Sequence, residues 1–208
     1  MNLMSYKAVA IIATALLLKT VSAYSIDYAP LTLSRMMLLA DSIVVVHVLH
    51  SGNDFYRIQP VVTLKGYVIN EQLDVYEYTQ WKTGKVLANA DEVIMFLQRN
   101  PKNQQWYVIG ADSEGFMPVV DGWIYLHGIR IDHMEMKEYR IHGNHMLAVR
   151  VGKNDLLVLI EDLMQCFRNN DKNKIAVMQI CSDKKLDELR NRSDLHRSIF
   201  NEMTNVMH

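Results

Sequence analysis

Between Ile43 and Val149 the chain is a succession of short apolar segments separated by turn residues. That rhythm constrains the fold more than any other feature. Ile43-Val-Val-Val-His-Val-Leu49 is β-branched and apolar at successive positions, the composition of a strand buried on both faces. Ser51 to Asp54 makes a turn. Tyr56 to Leu64 then alternates, with Tyr56, Ile58, Val62 and Leu64 on one face and Arg57, Gln59 and Thr63 on the other. Pro60 lacks an N–H for a ladder bond, which predicts an edge or a bulge there, and Lys65-Gly66 ends the segment. Leu73–Tyr78, Val93–Leu97 and Trp106–Ile109 are further strands; a polar connection spans 79–91 and a polar turn Pro101–Gln105. Phe116–Val120 and Trp123–Leu126 flank Asp121-Gly122, the signature of a type I′ hairpin. Residues 127–150 allow a second hairpin, Tyr139–Ile141 with His145–Val149, or an irregular excursion.

Helical periodicity brackets these strands. Thr32 can cap a short helix whose Leu33, Met36, Met37 and Ala40 share a face. Leu156, Leu157, Ile160, Leu163, Met164 and Phe167 form an amphipathic stripe starting at Asn154 or Asp155 and broken at 169–173. Ile175–Cys181 fits strand or helix. From Ser182 the chain is charged and helical, ending on the stripe Ile199, Phe200, Met203 and Val206. About five to seven strands with turns every ~8–14 residues suggest a small barrel or sandwich. The expected fold is therefore β-rich α+β: a small OB-like β-barrel with a short N-terminal helix and C-terminal helices packed on it. The expected organisation is a signal peptide at 1–23, the barrel domain at 24–150 and a helical extension at 151–208.

The assignment of 1–23 rests on a short basic start with Lys7, the apolar run Ala8–Leu18, and Val21-Ser22-Ala23 at the cleavage position. The run is short for a spanning helix, though an uncleaved anchor is the alternative. Loss of this segment, which carries Lys7, Lys19 and no acid, takes the formal charge from −1 to −3. Such a chain, lacking a basic run, offers no footprint for nucleic acid, and no stable membrane insertion is expected after cleavage. The two cysteines, Cys166 and Cys181, are expected to form a disulfide in an exported protein, with two buried free thiols as the other reading. No Cys-His signature surrounds either one.

No catalytic, cofactor-binding or metal-ligating residue is assigned, and no cofactor is expected. His142 and His145 sit two residues apart with His127 and His133 nearby, but this spacing in a turn does not by itself converge ligands. His47 reads as a strand residue rather than a ligand. Gly110 to Gly115 has one residue too many for a nucleophile elbow at Ser113. Asp112, Glu114 and Asp121 could serve as paired acids, yet all fall at turn positions where carboxylates are usually solvated. Trp81, Trp106 and Trp123 with Tyr76 and Tyr78 could make an exposed binding face, or fill the barrel and its cross-strand pairs. Asn191-Arg-Ser193 matches a glycosylation sequon, which has meaning only in a suitable host.

Ala40-Asp41-Ser-Ile-Val-Val-Val-His-Val48, the strand ending Leu64-Lys65-Gly66, and Val93-Ile-Met-Phe-Leu97 with Gly110 together resemble a pattern of exported bacterial proteins. The same stretch, roughly 32–126, is similar to the netrin-like inhibitory domain of the tissue inhibitors of metalloproteinases, an OB-fold barrel. The resemblance implies the barrel. It does not carry over the inhibitory chemistry, because those inhibitors begin with Cys-x-Cys and this chain has Tyr24-Ser25-Ile26 at the expected mature start. The expected function is a non-enzymatic exported binding or envelope-associated protein, periplasmic or secreted, with a protein partner. The alternatives are an inhibitor or immunity-type factor against an exported hydrolase, and an unrecognised hydrolase.

Overall fold

In the computed structural model, the structure describes residues 31–52, 54–76, 92–110, 114–127, 129, 131–141, 144–169 and 177–206. Helix α1 (Leu33–Leu39) comes first, and the Thr32 hydroxyl accepts from the Arg35 N–H as its cap. Strands β1 (Ser42–Ser51), β2 (Phe55–Gly66), β3 (Leu73–Tyr76), β4 (Glu92–Arg99) and β5 (Trp106–Val108) follow. They pair in the order β1-β2-β3-β5-β4, and β4 returns to β1, which closes a five-stranded OB-like barrel. Closure requires one parallel pair, β3 with β5 (Val75↔Trp106, Tyr76↔Tyr107).

Three register shifts bend the β1–β2 ribbon around the barrel. They leave Leu49, Val61 and Leu64 as extra residues opposite β1 or β2 positions, and each bulge sharpens the local twist. The bulge expected at Pro60 is present: Pro60 pairs with Val46 and Val62 with Val45. It also corrects the simple alternation, because one extra residue inverts the phase and leaves Val62 exposed rather than beside Ile58.

Beyond the barrel the sheet continues through β6 (Phe116–Val120), β7 (Trp123–His127), β9 (Asn144–Gly152) and β8 (Lys137–Ile141). These bring the main sheet to nine strands, more than the spacing of turns suggested. At the β6–β7 turn Val120 pairs with Trp123, and Asp121 and Gly122 both have positive φ (51° and 77°), as a type I′ turn requires. The β8–β9 hairpin is formed, with Ile141 opposite Asn144.

Helix α2 (Lys153–Cys166) begins at a Gly152 cap, which corrects the expected start at Asn154 or Asp155; Asp155 instead lies in the first turn. It also stops at Cys166, before the 169–173 break, because Phe167–Asn169 forms β10 against β11 (Val177–Gln179). The ambiguous segment is thus a strand at 177–179. Ser182 caps α3 (Asp183–Arg190), and α4 (Asp194–Val206) completes the chain. The Cys166–Cys181 disulfide is present and joins the end of α2 to the start of α3.

Two apolar layers share the same strands. Val44, Val46, Val93, Met95 and Leu97 face the barrel interior with Tyr56, Ile58 and Val75. Ile43, Val45, Ile94 and Phe96 point the other way, into a layer roofed by α1, α2 and α4. The Ala40-Asp41-Ser42 and Lys65-Gly66 motifs meet where these layers join. The Lys65 ammonium donates to the Met37 and Leu38 carbonyls (2.6 and 3.0 Å) at the end of α1. Gly66 has φ 81°, and a Cβ there would lie 1.8 Å from the Asp41 carbonyl oxygen, so this contact admits no side chain.

Candidate binding face

Where the helices do not cover the barrel, the outward residues of β1, β2, β3 and β5 carry an aromatic row. Tyr56 and Val75 point inward, so their neighbours Phe55, Arg57, Asp74 and Tyr76 point outward. The register sets Phe55 opposite Tyr76 and Tyr76 beside Tyr107. The ring centroids run His50–Phe55 6.0 Å, Phe55–Tyr76 6.2 Å and Tyr76–Tyr107 5.8 Å, tilted by 39–46°. His50 is exposed and the other three rings are half-buried.

Polar groups flank the row on two sides. Arg57 forms a two-point pair with Asp74, Nε to Oδ1 at 2.8 Å and Nη2 to Oδ2 at 2.9 Å. This hydrogen bonding, helped by the charges of Arg57 and His50 and opposed by partial burial, holds the Asp74 carboxyl below its usual range. The guanidinium of Arg57 is held correspondingly higher, mainly through its bond to Asp74. At the other side the Tyr107 hydroxyl lies 3.1 Å from Gln105 Oε1 and accepts from Asn103 Nδ2 at 3.2 Å. Below this face, Tyr67 meets Trp106 edge-on at 6.1 Å beside a cleft of about 470 Å³, lined also by Glu71, Leu73 and Arg99. Aromatic rings beside a charge-neutral ion pair suit an apolar or flat group with a few hydrogen-bonding atoms, rather than a phosphate chain.

The residues singled out in the sequence are dispersed. Tyr76 belongs to the row and Trp106 to the cleft beside it. Trp123 stands on β7, 41% exposed, under the Arg150 guanidinium at 4.3 Å. Trp81, Tyr78, Asp112, Ser113 and His142 lie outside the described residues. Asp121 is exposed on its turn. Glu114 differs from the solvated turn residue expected: it is 5% exposed, packs against Gly110, and receives the Leu31 N–H at 3.5 Å. His127 contacts the Leu147 carbonyl, His145 pairs with Glu138 at 2.8 Å, and His47 and His133 are exposed. Among the described residues no three His, Cys, Asp or Glu side chains converge as metal ligands.

One constellation escaped the sequence reading. His196, 3% exposed, lies between Ser193 Oγ (2.8 Å from Nδ1) and Asp162 Oδ2 (3.1 Å from Nε2), and Arg192 also pairs with Asp162. Ser, His and Asp in a chain of contacts invite comparison with hydrolytic triads. Here, however, Ser193 caps α4, accepting from the His196 N–H at 3.1 Å, and Arg192 already neutralises the carboxylate. The side chains of His196 and Asp162 are only 4% and 9% exposed. The arrangement clamps α4 onto α2. The signal in the sequence is Ser193-x-x-His196, a cap spacing inside the stretch expected to be helical; the aspartate, 34 residues before the histidine, is placed only by the fold.

Among the described residues no helix is long and apolar enough to cross a membrane. Comparison with known protein families, characterised proteins and solved structures finds no match to this chain.

Proposed function

We propose that the chain is an exported, non-enzymatic binding protein, periplasmic or secreted, that engages a protein partner through the bare side of its barrel. The observation that carries this reading is the row His50–Phe55–Tyr76–Tyr107, laid across four strands on the outer surface. Rings held by neighbouring strands lose little entropy when a partner covers them, which is why aromatic residues dominate interface energetics. The disulfide fits an oxidising compartment and hence export. Several acids and histidines are engaged in structural pairs, which supports the same reading. Asp162 and His196 hold two helices together, His145 is paired with Glu138, and Asp74 is paired with Arg57. The likeness to metalloproteinase inhibitors enters only through the barrel, since Ala40-Asp41 and Lys65-Gly66 are spent on the junction with α1.

The test is a photo-crosslinking amino acid in place of Tyr107 in the native host, with the same group at Trp123 as the control. The expected result is one discrete crosslinked protein at position 107 that is lost with Phe55→Ala and absent at 123. Equal products at both positions, or none at 107, would overturn the proposal.

A further inference from the structure

Strand β8 ends the open sheet; among the described residues its only strand partner is β9. An exposed edge of this kind is usually guarded by charge, since its unpaired backbone groups can template another strand. The charges on β8 are arranged differently from a simple guard. Glu138 and Arg140 are both exposed, two residues apart on one face, with Tyr139 between them on the other. Arg140 has no ion-pair partner among the described residues, while Glu138 is met by His145 at 2.8 Å.

We propose that β8 pairs antiparallel with β8 of a second copy about a two-fold axis through Tyr139. In that register each Glu138 faces Arg140 of the other copy, so these two positions complement each other, while Lys137, paired with Glu135 of its own chain at 3.2 Å, stands opposite Ile141. Shifting the axis to residue 138 or 140 sets Glu against Glu or Arg against Arg, which is unfavourable directly across strands. The backbone has the matching phase. The Leu147 carbonyl, opposite Glu138 on β9, turns to the His127 ring of β7 and so away from β8. Hydrogen-bonded and non-bonded pairs then alternate along β8, which turns the N–H and C=O of Glu138 and Arg140 outward, toward the second copy. On the opposite face the two Tyr139 rings meet, each already braced edge-on by Tyr125 at 5.1 Å. A C2 contact requires this self-complementarity, with residue i meeting j and j meeting i. One short strand buries little area, so the dimer is weak and concentration-dependent.

Sedimentation velocity on the chain as its host produces it, over a series of concentrations, tests the proposal. The parent should show a monomer–dimer equilibrium. Glu138→Arg and Arg140→Glu should each weaken it by about tenfold or more, since each places like charges opposite one another twice. An equal mixture of the two variants should associate again, because both arginines of one variant then face both glutamates of the other. The double swap E138R/R140E in one chain should restore the parent constant. A parent that stays monomeric at its highest soluble concentration overturns the proposal. So does a dimer that neither substitution weakens, or one that neither the mixture nor the double swap restores. If one single variant loses its fold, the other decides: a weakened dimer that the double swap restores supports the proposal, and an unweakened one overturns it.

Discussion

The helix-covered side of the barrel and its bare side are built from the same strands by different rules. On the covered side Ile43, Val45, Ile94 and Phe96 are essentially inaccessible, so Ile43–Val46 of β1 and the centre of β4 are apolar at every position. On the bare side inward Tyr56, Ile58 and Val75 alternate with outward Phe55, Arg57 and Asp74. Burial on two faces removes the choice of residue at each position; burial on one face frees every second position. The aromatic row occupies positions of the second kind, where the core does not demand rings.

The largest expected contrast is between two phenylalanines. Phe96→Ala should cost about 3–5 kcal/mol, because it empties a site closed by strands and helices. Phe55→Ala should cost less than about 1 kcal/mol while abolishing partner capture at position 107. Urea denaturation of both variants gives the comparison; equal losses would mean that the bare side is part of the core.

Replacing Cys166 and Cys181 together with serine should remove about 3 kcal/mol, the chain-entropy value for a loop of this size, since the bond closes 15 residues. The loss should appear as faster hydrogen exchange in α3 and α4, with the barrel amides least affected. Uniform acceleration across the barrel would show that both layers unfold as one unit.

A smaller effect should come from the junction. Lys65→Ala removes two charge-assisted bonds to the α1 carbonyls and should cost about 1–2 kcal/mol. Lys65→Arg should recover part of that loss if the positive charge at the helix end matters, and Lys65→Met should not. Thermal melts of the three variants rank them.

The smallest effect belongs to the exposed Arg57–Asp74 pair. The Asp74 carboxyl should titrate below the usual 3.8, and Arg57→Ala should return it toward that value, as read by its side-chain NMR shifts. A carboxyl lowered in the folded state contributes stability that is fully present above the ordinary carboxylate value and is lost as pH falls through the folded one. With the Arg57 and Asp74 side chains 52% and 30% exposed the contribution is slight and should shrink further in salt. An Asp74 that titrates at the ordinary value would remove the fixed polar flank from the candidate face.

Much of the architecture is legible in the residues alone. The Thr32 cap, the unbroken apolar runs of β1 and β4, the Asp121-Gly122 turn and the stripes of α2 and α4 are local patterns, and each element follows from its own residues. The candidate face is legible only in part. Tyr76 and Trp106 stand out as aromatic residues, but His50, Phe55 and Tyr107 do not, because nothing local relates positions on β1, β2 and β5.

The residues alone mark most strands, the capped first helix and the stripes of α2 and α4, since periodicity and turn chemistry act over a few residues at a time; they leave 127–150 and Ile175–Cys181 open and misplace Val62 and Glu114. Which residues meet is a matter of packing over the whole chain. Barrel closure through the parallel β3–β5 pair set Tyr76 beside Tyr107. Packing of α4 on α2 brought Asp162 to His196, and the bulge at Val61 turned Val62 outward. Each of these depends on strand order, register or helix docking. Those are fixed by the summed burial of both apolar layers, not by the residues that happen to be brought together.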